Sequence, residues 1–228
     1  MGIISVEKAS NLYWLGRYSE RVYTTLRKFF VNYDSMIDVE EDSYINYCKE
    51  MNIPNIYTST EDFSYRYVYD TDIVDSVFSN LLRAYDNAII MREEIHSETL
   101  AYLQLAIYEM KKAKHSASPL IDLQTVIDYI LAFWACADDY IDDQDSRNMM
   151  KSGMKIERID LYLRMRYHRT DLMRELKKLE YRLDRTSLVH SEKAFIKLAN
   201  YIIPEEGEED TEISYQEAIE AVEQIVKI

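Results

Sequence analysis

Apolar residues recur at intervals of three and four along most of the chain, which predicts a succession of amphipathic α-helices. The first predicted helix covers about residues 6–36, with Ser5 as its N-cap and Leu12, Leu15 and Val22 on its apolar face. Further helices are predicted at about residues 44–51, 72–96, 97–110, 120–141, 150–185, 187–203 and 214–228, with Thr71 or Asp72 capping the second of these. We therefore predict an all-α fold, a single bundle of about six to eight long helices.

Two segments depart from simple amphipathic helices. Aromatic residues alternate with polar ones from Phe63 to Tyr69, a spacing typical of a strand. Because no second run could pair with it, we interpret residues 61–70 as an extended connection packed on helices. The helix at 120–141 is apolar almost all round at residues 130–134, which predicts a central position in the bundle.

Composition supports an all-α architecture and indicates two regions along the chain. Four Gly and three Pro argue against a loop-rich β or doubly wound fold. We predict a helical domain over residues 1–203 and, over residues 204–228, an acidic linker followed by a short amphipathic helix. A second acidic break is expected at residues 38–42. Residues 151–185 carry eleven Lys or Arg against six Asp or Glu, and we interpret them as a solvated helix face.

Charge and hydropathy also restrict the partners. A formal net charge of −14 repels a nucleic acid at long range, so none is expected. No apolar run approaches the roughly 18 residues of a membrane span, and the N-terminus lacks the basic and apolar regions of a signal peptide. We therefore expect a cytoplasmic protein without a membrane partner. Self-association into a homo-oligomer stays open.

The sequence Gly-x-x-x-Glu-Arg occurs twice, at residues 16–21 and 153–158. Helical spacing places Arg17 and Arg21 on one broad face with Trp14 and Tyr18. Buried charges need partners, so we predict that the two motifs face each other inside the bundle, with Arg92 nearby. Two interpretations remain open. Each Glu pairs with an Arg of the other helix, or the Arg side chains form a pocket for a carboxylate or phosphate.

The residues around these motifs resemble the bacterial alpha-E family, a helical domain of unknown function with a repeated Glu-Arg motif. The resemblance covers about residues 1–200, and Tyr85-Asp86 depart from it where the family tends to have Arg-Glu. It rests on residues 11–18, Glu20, Arg21, Asp72, Ser76, Asn87, Arg92, Ile95, Glu98, Phe133, Asp138 or Asp139, Gly153, Glu157 and Arg158. It implies an ATP-grasp-type ligase and a transglutaminase-like protein as partners, in a system that makes or trims amide bonds.

Two hypotheses follow for the Glu-Arg residues, and neither requires a cofactor. In the first, the protein is an auxiliary helical component that works with the ligase and recognises a peptide or small anionic ligand. The candidate anion-binding residues are Asn11, Trp14, Arg17, Tyr18, Arg21, Asn87, Arg92, Glu98 and Arg158. In the second, the protein is itself an enzyme acting on a peptide or acyl intermediate, with Glu20 or Glu157 as acid or base.

A third hypothesis comes from the acidic run at residues 138–145. Its oxygen ligands suit Mg²⁺ bound to a diphosphate, and it resembles the Asp-Asp-x-x-Asp box of helical isoprenoid synthases. The candidate ligands are Asp138, Asp139, Asp142 and Asp143. No Asn/Asp-x-x-Ser-x-x-x-Glu sequence follows to supply the second metal-binding wall. We therefore favour an acidic helix end that runs into a loop.

Overall fold

The computed structural model describes residues 5–38, 43–204 and 213–228, and these contain ten α-helices and no strand. The helices are α1 (Val6–Asp38), α2 (Ser43–Met51), α3 (Thr60–Tyr69), α4 (Val77–Ile90), α5 (Arg92–Ala113), α6 (Pro119–Tyr140), α7 (Gln144–Arg164), α8 (Arg169–Leu183), α9 (Glu192–Ile202) and α10 (Tyr215–Glu223). The all-α prediction is confirmed. The helix number exceeds the expected six to eight, because one predicted helix is divided and a predicted connection is helical.

Helices α1 and α7 form the centre of the bundle. Helix α1 packs on α7, α4 and α6, and α7 also packs on α8, α10 and α2. Helix α6, predicted to be central, packs mainly on α5 and leaves Ile121 and Leu131 exposed at 70% and 46%. The prediction for α6 is wrong, because the polar residues of α7 pair with one another and with neighbours, and so occupy the centre.

The basic stretch at 150–185 forms two helices rather than one. It breaks after α7, where Arg166 has a φ of 52° and the rings of Tyr162 and Tyr167 stack at 4.0 Å across the turn. Within α7, Lys151 and Lys155 are only 8% and 6% exposed. The prediction of a solvated basic face is therefore wrong for α7, because both lysines are buried and have carboxylate partners, Lys155 in the buried Glu175 and Lys151 in Asp138 at the surface.

The aromatic run at 61–70 is helix α3, so its interpretation as an extended connection is wrong. Ser59 caps the helix by accepting a hydrogen bond from the backbone N–H of Asp62. The rings of Phe63 and Tyr67, four residues apart, stack at 5.0 Å, whereas the Tyr65 side chain is 47% exposed. The backbone hydrogen bonds of a helix are satisfied within the segment, which an isolated strand cannot achieve, and the i,i+4 ring stacking adds to the stability of this helix.

Helix α4 begins later than predicted, and α5 begins earlier. The N-cap of α4 is Ser76, not Thr71 or Asp72, and its hydroxyl accepts from the Ser79 N–H at 3.0 Å. The predicted break between residues 96 and 97 appears inside α5, where His96 has a non-helical φ of 66°. Helix α4 itself ends earlier, at Ile90.

Helix α9 begins at residue 192 rather than 187, with Ser191 as its N-cap. The carboxylate of Asp145 binds the backbone N–H of Ser187 at 2.7 Å and the hydroxyl of Thr186 at 2.8 Å. These bonds tie the connection to the first turn of α7. Ser187 is therefore an anchor for this connection and does not start a helix.

The C-terminal helix α10 ends at Glu223 rather than at the predicted 228, and it packs on α9 and α7 with Ala218 and Val222 fully buried. Most of the predicted acidic linker and residues 39–42 of the predicted acidic break lie outside the described residues. The division at residue 203 stays a prediction.

Among the described helices, only α6 is long and apolar enough to cross a membrane by length and composition. The sequence analysis predicted no segment of this kind, and α6 corrects that prediction. Within its most apolar window, 44% of the residues are buried inside the bundle, and core helices of soluble proteins also meet this criterion.

Candidate functional site

The site begins where α1 and α7 cross at Gly16 and Gly153. A Cβ added to Gly16 would lie 2.0 Å from the carbonyl oxygen of Met150, and one added to Gly153 would lie 2.1 Å from that of Tyr13. Each carbonyl belongs to the residue three positions before the opposite glycine. The contact is therefore reciprocal, with backbone against backbone, and only glycine allows this approach.

The two helices run in the same direction from this crossing. Tyr13 lies against Gly153, and eight residues further along α1, Arg21 approaches Asp160. One turn beyond each glycine comes a Glu-Arg pair. The crossing therefore brings the two Glu-Arg pairs to the same level of the bundle.

Each motif glutamate is bound by arginines of the opposite helix. Glu157 accepts from Arg17 Nε at 2.6 Å on one oxygen and from Arg21 Nε on the other. Glu20 receives a bidentate pair from Arg158, with Nε at 2.6 Å and a terminal nitrogen at 2.7 Å. The prediction that the motifs face each other is confirmed. We call Arg17, Glu20, Arg21, Glu157 and Arg158 the Glu-Arg cluster.

A second layer of charges surrounds the Glu-Arg cluster. Arg164 holds Asp160 at 3.0 Å and reaches Glu223 of α10 at 2.7 Å. On the other side, Glu175 of α8 accepts from Lys155 at 2.7 Å. Sequence reasoning assigned these residues no role. Helical spacing after Glu157 could have identified Asp160, but nothing in the sequence links α7 to Glu175.

Burial and charge fix the protonation of the Glu-Arg cluster. Burial acts to raise the pKa of Glu157, but the charges of Arg17 and Arg21 outweigh it and lower that pKa. Burial and the nearby Glu157 raise the pKa of Asp160. Glu20 and Glu157 are 0% and 1% exposed. Glu157 is thus an enclosed carboxylate with a lowered pKa, and each of its two oxygens accepts a hydrogen bond from an arginine.

An aromatic face lies beside the Glu-Arg cluster. The rings of Trp14 and Tyr18 stack at 5.3 Å, and the Arg17 guanidinium lies 5.1 Å from the Trp14 ring centroid. On the far side, Arg83 lies 5.7 Å from the Tyr18 ring, and Asn87 donates to the backbone carbonyl of Arg83 at 2.8 Å. The structure therefore brings α4 to the same face through Arg83, which sequence reasoning missed.

Three predicted site residues remain apart from the Glu-Arg cluster. Arg92 and Glu98 are exposed on α5, and Arg92 Nε donates to Ser97 at 3.0 Å. The expected position of Arg92 beside the motifs is wrong. Asn11 lies half-buried at the start of α1. Proximity in the structure therefore favours Arg17, Arg21, Trp14 and Tyr18 over these three.

Carboxylates of the acidic run at 138–145 cap helix α7 and form an ion pair with it. Asp143 caps α7 by accepting from the backbone N–H of Ser146 at 2.9 Å and from its hydroxyl at 2.7 Å, and Asp138 pairs with Lys151. The remaining candidates are exposed: Asp139 and Asp142. In the described part of the chain, no group of three or more His, Cys, Asp or Glu is placed to hold a metal ion. Magnesium binding stays a prediction.

Comparison with known proteins identifies the fold family. Alpha-E, described as a predicted alpha-helical domain with a conserved ER motif, matches residues 7–197 and thus both Glu-Arg pairs. The chain belongs to the Alpha-E family. No curated protein and no solved structure is detectably similar to it.

In this Alpha-E protein the charge network predicts acid sensitivity. Burial acts to raise the pKa of Glu175, but hydrogen bonds and charge from Lys155, with Lys178 and Arg158, lower it from 4.5 to about 2. The stabilisation is therefore present above pH 4.5 and lost as pH falls towards 2. We expect the free energy of unfolding, measured by urea titration, to decrease over this range.

Glu175→Gln should reduce that decrease, whereas Glu217→Gln, at an exposed position of α10, should leave it unchanged. If the free energy of unfolding depended on pH identically in Glu175→Gln and the parent, Glu175 would not be the source of the acid sensitivity.

Proposed function

We propose that this Alpha-E protein is a non-catalytic helical component of an amide- or peptide-bond-forming system, working in the cytoplasm with an ATP-grasp-type ligase and a transglutaminase-like protein. Its recognition element would be the outer side of the Glu-Arg cluster, with a peptide carboxylate or another small anionic group as ligand. One observation carries this proposal. Among the described residues, Arg21 donates a hydrogen bond through Nε alone, and its side chain is 24% exposed. One of its terminal nitrogens lies 3.9 Å from an oxygen of Asp160, beyond hydrogen-bond distance.

Arginine suits this role because its guanidinium has five N–H donors, and Glu157 engages only one of those of Arg21. The Arg17 guanidinium is held by the same carboxylate, through Nε at 2.6 Å. Holding both guanidiniums in place reduces the conformational entropy lost when a carboxylate or phosphate binds their terminal nitrogens. Trp14 and Tyr18 supply an apolar wall next to this donor set.

The burial of the acidic groups supports a binding role over a catalytic one. An acid or base must come within about 3 Å of the reacting atom. Glu20 is fully enclosed and held by Arg158 and by the Thr24 hydroxyl at 2.6 Å, and Glu157 is held by two arginines. A substrate could reach either carboxylate only by breaking these ion pairs.

The experiment compares ligase turnover in the presence of the parent protein and of Arg17→Lys. Lysine keeps the positive charge of Arg17 but lacks the planar guanidinium that can donate two parallel hydrogen bonds. Glu157 would still have Arg21 as a partner. We expect Arg17→Lys to fold with little change in melting temperature and to reduce the stimulation of the ligase at least about tenfold, which corresponds to the loss of one hydrogen bond to a charged group.

Arg27→Lys is the matched control, because Arg27 is exposed on the same helix and its hydrogen bond and cation–π contact within the described residues both go to Tyr23. A ligase that turns over equally with and without the protein would refute the partnership. Equal stimulation by Arg17→Lys and the parent would refute the recognition element.

A further inference from the structure

A cationic groove of about 430 Å³ lies between α7 and α8. Its lining consists of Lys151, Met154, Lys155, Arg174, Lys177, Lys178, Tyr181 and Arg182. Six of these eight residues carry a positive charge and none carries a negative one. In a protein with a net charge of −14, this is a local reversal of sign.

The groove has too few carboxylates to balance its cations. Among the described residues, Glu175 lies within 4 Å of three of them, with Lys155 at 2.7 Å, Lys178 at 2.9 Å and Arg174 at 3.6 Å. Arg174 also pairs with Asp171 at 2.8 Å, and Lys151 pairs with Asp138. In the described part of the chain, three carboxylates therefore lie within ion-pair distance of the six cations that line the groove.

The remaining cations have weaker or more distant compensation. Arg182 donates to the neutral amide oxygen of Asn148 at 3.0 Å, and in the described part of the chain Lys177 has no carboxylate within ion-pair distance. Burial, together with the charges of Arg158 and Lys178, lowers the pKa of Lys155 to about 8 despite its bond to Glu175. Both features indicate a surplus of positive charge.

An exposed basic helix face would show none of this arrangement. Lys151 and Lys155 are less than 10% exposed, so their ammonium groups are partly removed from water and from counterions. The acidic remainder of the protein acts mainly at long range, and at physiological salt its field decays over about 8 Å. At contact distance a ligand therefore experiences mainly the positive charges of the groove.

We propose that this α7–α8 groove is a binding site for a multivalent phosphate, carried by an inorganic or nucleoside polyphosphate. Several phosphate oxygens can engage ammonium point charges and the forks of Arg174 and Arg182 at once, which a single carboxylate cannot do. The volume suits a group of this size. The site is separate from the α1–α7 aromatic face, so the proposal stands without the proposed function.

The test is isothermal titration calorimetry of the full chain with sodium tripolyphosphate, ATP and adenosine, each at low and physiological salt. We expect saturable binding of tripolyphosphate and ATP, weakened by salt, and none of adenosine. Lys177→Gln with Lys178→Gln should weaken binding of both phosphates at least about tenfold, because two charge-assisted contacts are removed. Both side chains are exposed, so the fold is retained.

Lys193→Gln with Lys197→Gln removes the same charge from exposed positions of α9 and should leave the affinity within about twofold of the parent. The proposal is refuted by any of three results: no saturable binding of tripolyphosphate, ATP binding without tripolyphosphate binding, or an equal loss in both double variants. A comparable affinity for tripolyphosphate and ATP would show that the groove binds the phosphate chain and not the nucleoside.

Discussion

Gly153→Ala is expected to destabilise the protein by about 3 kcal/mol or more, although alanine in a helix interior is normally favoured over glycine by about 1 kcal/mol. The added Cβ would lie 2.1 Å from the carbonyl oxygen of Tyr13, a backbone atom that no side-chain rotation can move. Helices α1 and α7 would have to separate, and this would also lengthen the ion pairs one turn away. The measurement is the free energy of unfolding from urea titration.

Ser152→Ala is the matched control on the preceding residue of the same helix. Its side chain is fully buried, and its hydroxyl has no hydrogen-bond partner among the described residues. Removing that hydroxyl should leave stability unchanged or increase it slightly. If Gly153→Ala were as stable as Ser152→Ala, the helices would not be in backbone contact.

Arg158→Ala should cost about 3–5 kcal/mol of stability, because it leaves the fully buried carboxylate of Glu20 without a cation. Among the described residues, the Thr24 hydroxyl alone would still donate to that carboxylate. Arg21→Ala should cost less, since Glu157 would keep the Arg17 Nε bond at 2.6 Å. Thermal and urea unfolding of the two variants would measure the difference.

The double variant Glu20→Gln with Arg158→Ala tests whether the stranded Glu20 carboxylate causes the loss of stability in Arg158→Ala. Neutralising the stranded carboxylate should recover part of the loss caused by Arg158→Ala. A double variant less stable than Arg158→Ala would mean that the loss comes from packing of the arginine stem. An Arg158→Ala variant close to the parent in stability would mean that Glu20 reaches water.

The sequence predicted the helices and the meeting of the two motifs because both depend on local information. Periodic apolar residues identify helices, and the Gly-x-x-x-Glu-Arg repeats supply complementary charges at the same spacing after a glycine. The reciprocal carbonyl contacts at Gly16 and Gly153 explain why the repeats needed that glycine.

Other features depended on distant partners and could not be predicted. Helix α7 appears polar, yet Lys155 and Glu157 are buried because Glu175 and Arg17 lie on other helices. The apolar α6 was placed at the centre because hydropathy does not include such pairing. Helix α3 was misjudged because its ring stacking involves residues four apart, while its aromatic residues also alternate.

The pairing of α1 with α7 has a consequence for synthesis of the chain. Arg17 and Glu157 are separated by 140 positions. At ribosomal rates of about 5–20 residues per second, α1 emerges roughly 7–28 s before its main partner. During that interval the glycine face and both arginines have no helix to pack on. The bundle can therefore close around the Glu-Arg cluster only after the second motif has left the ribosome.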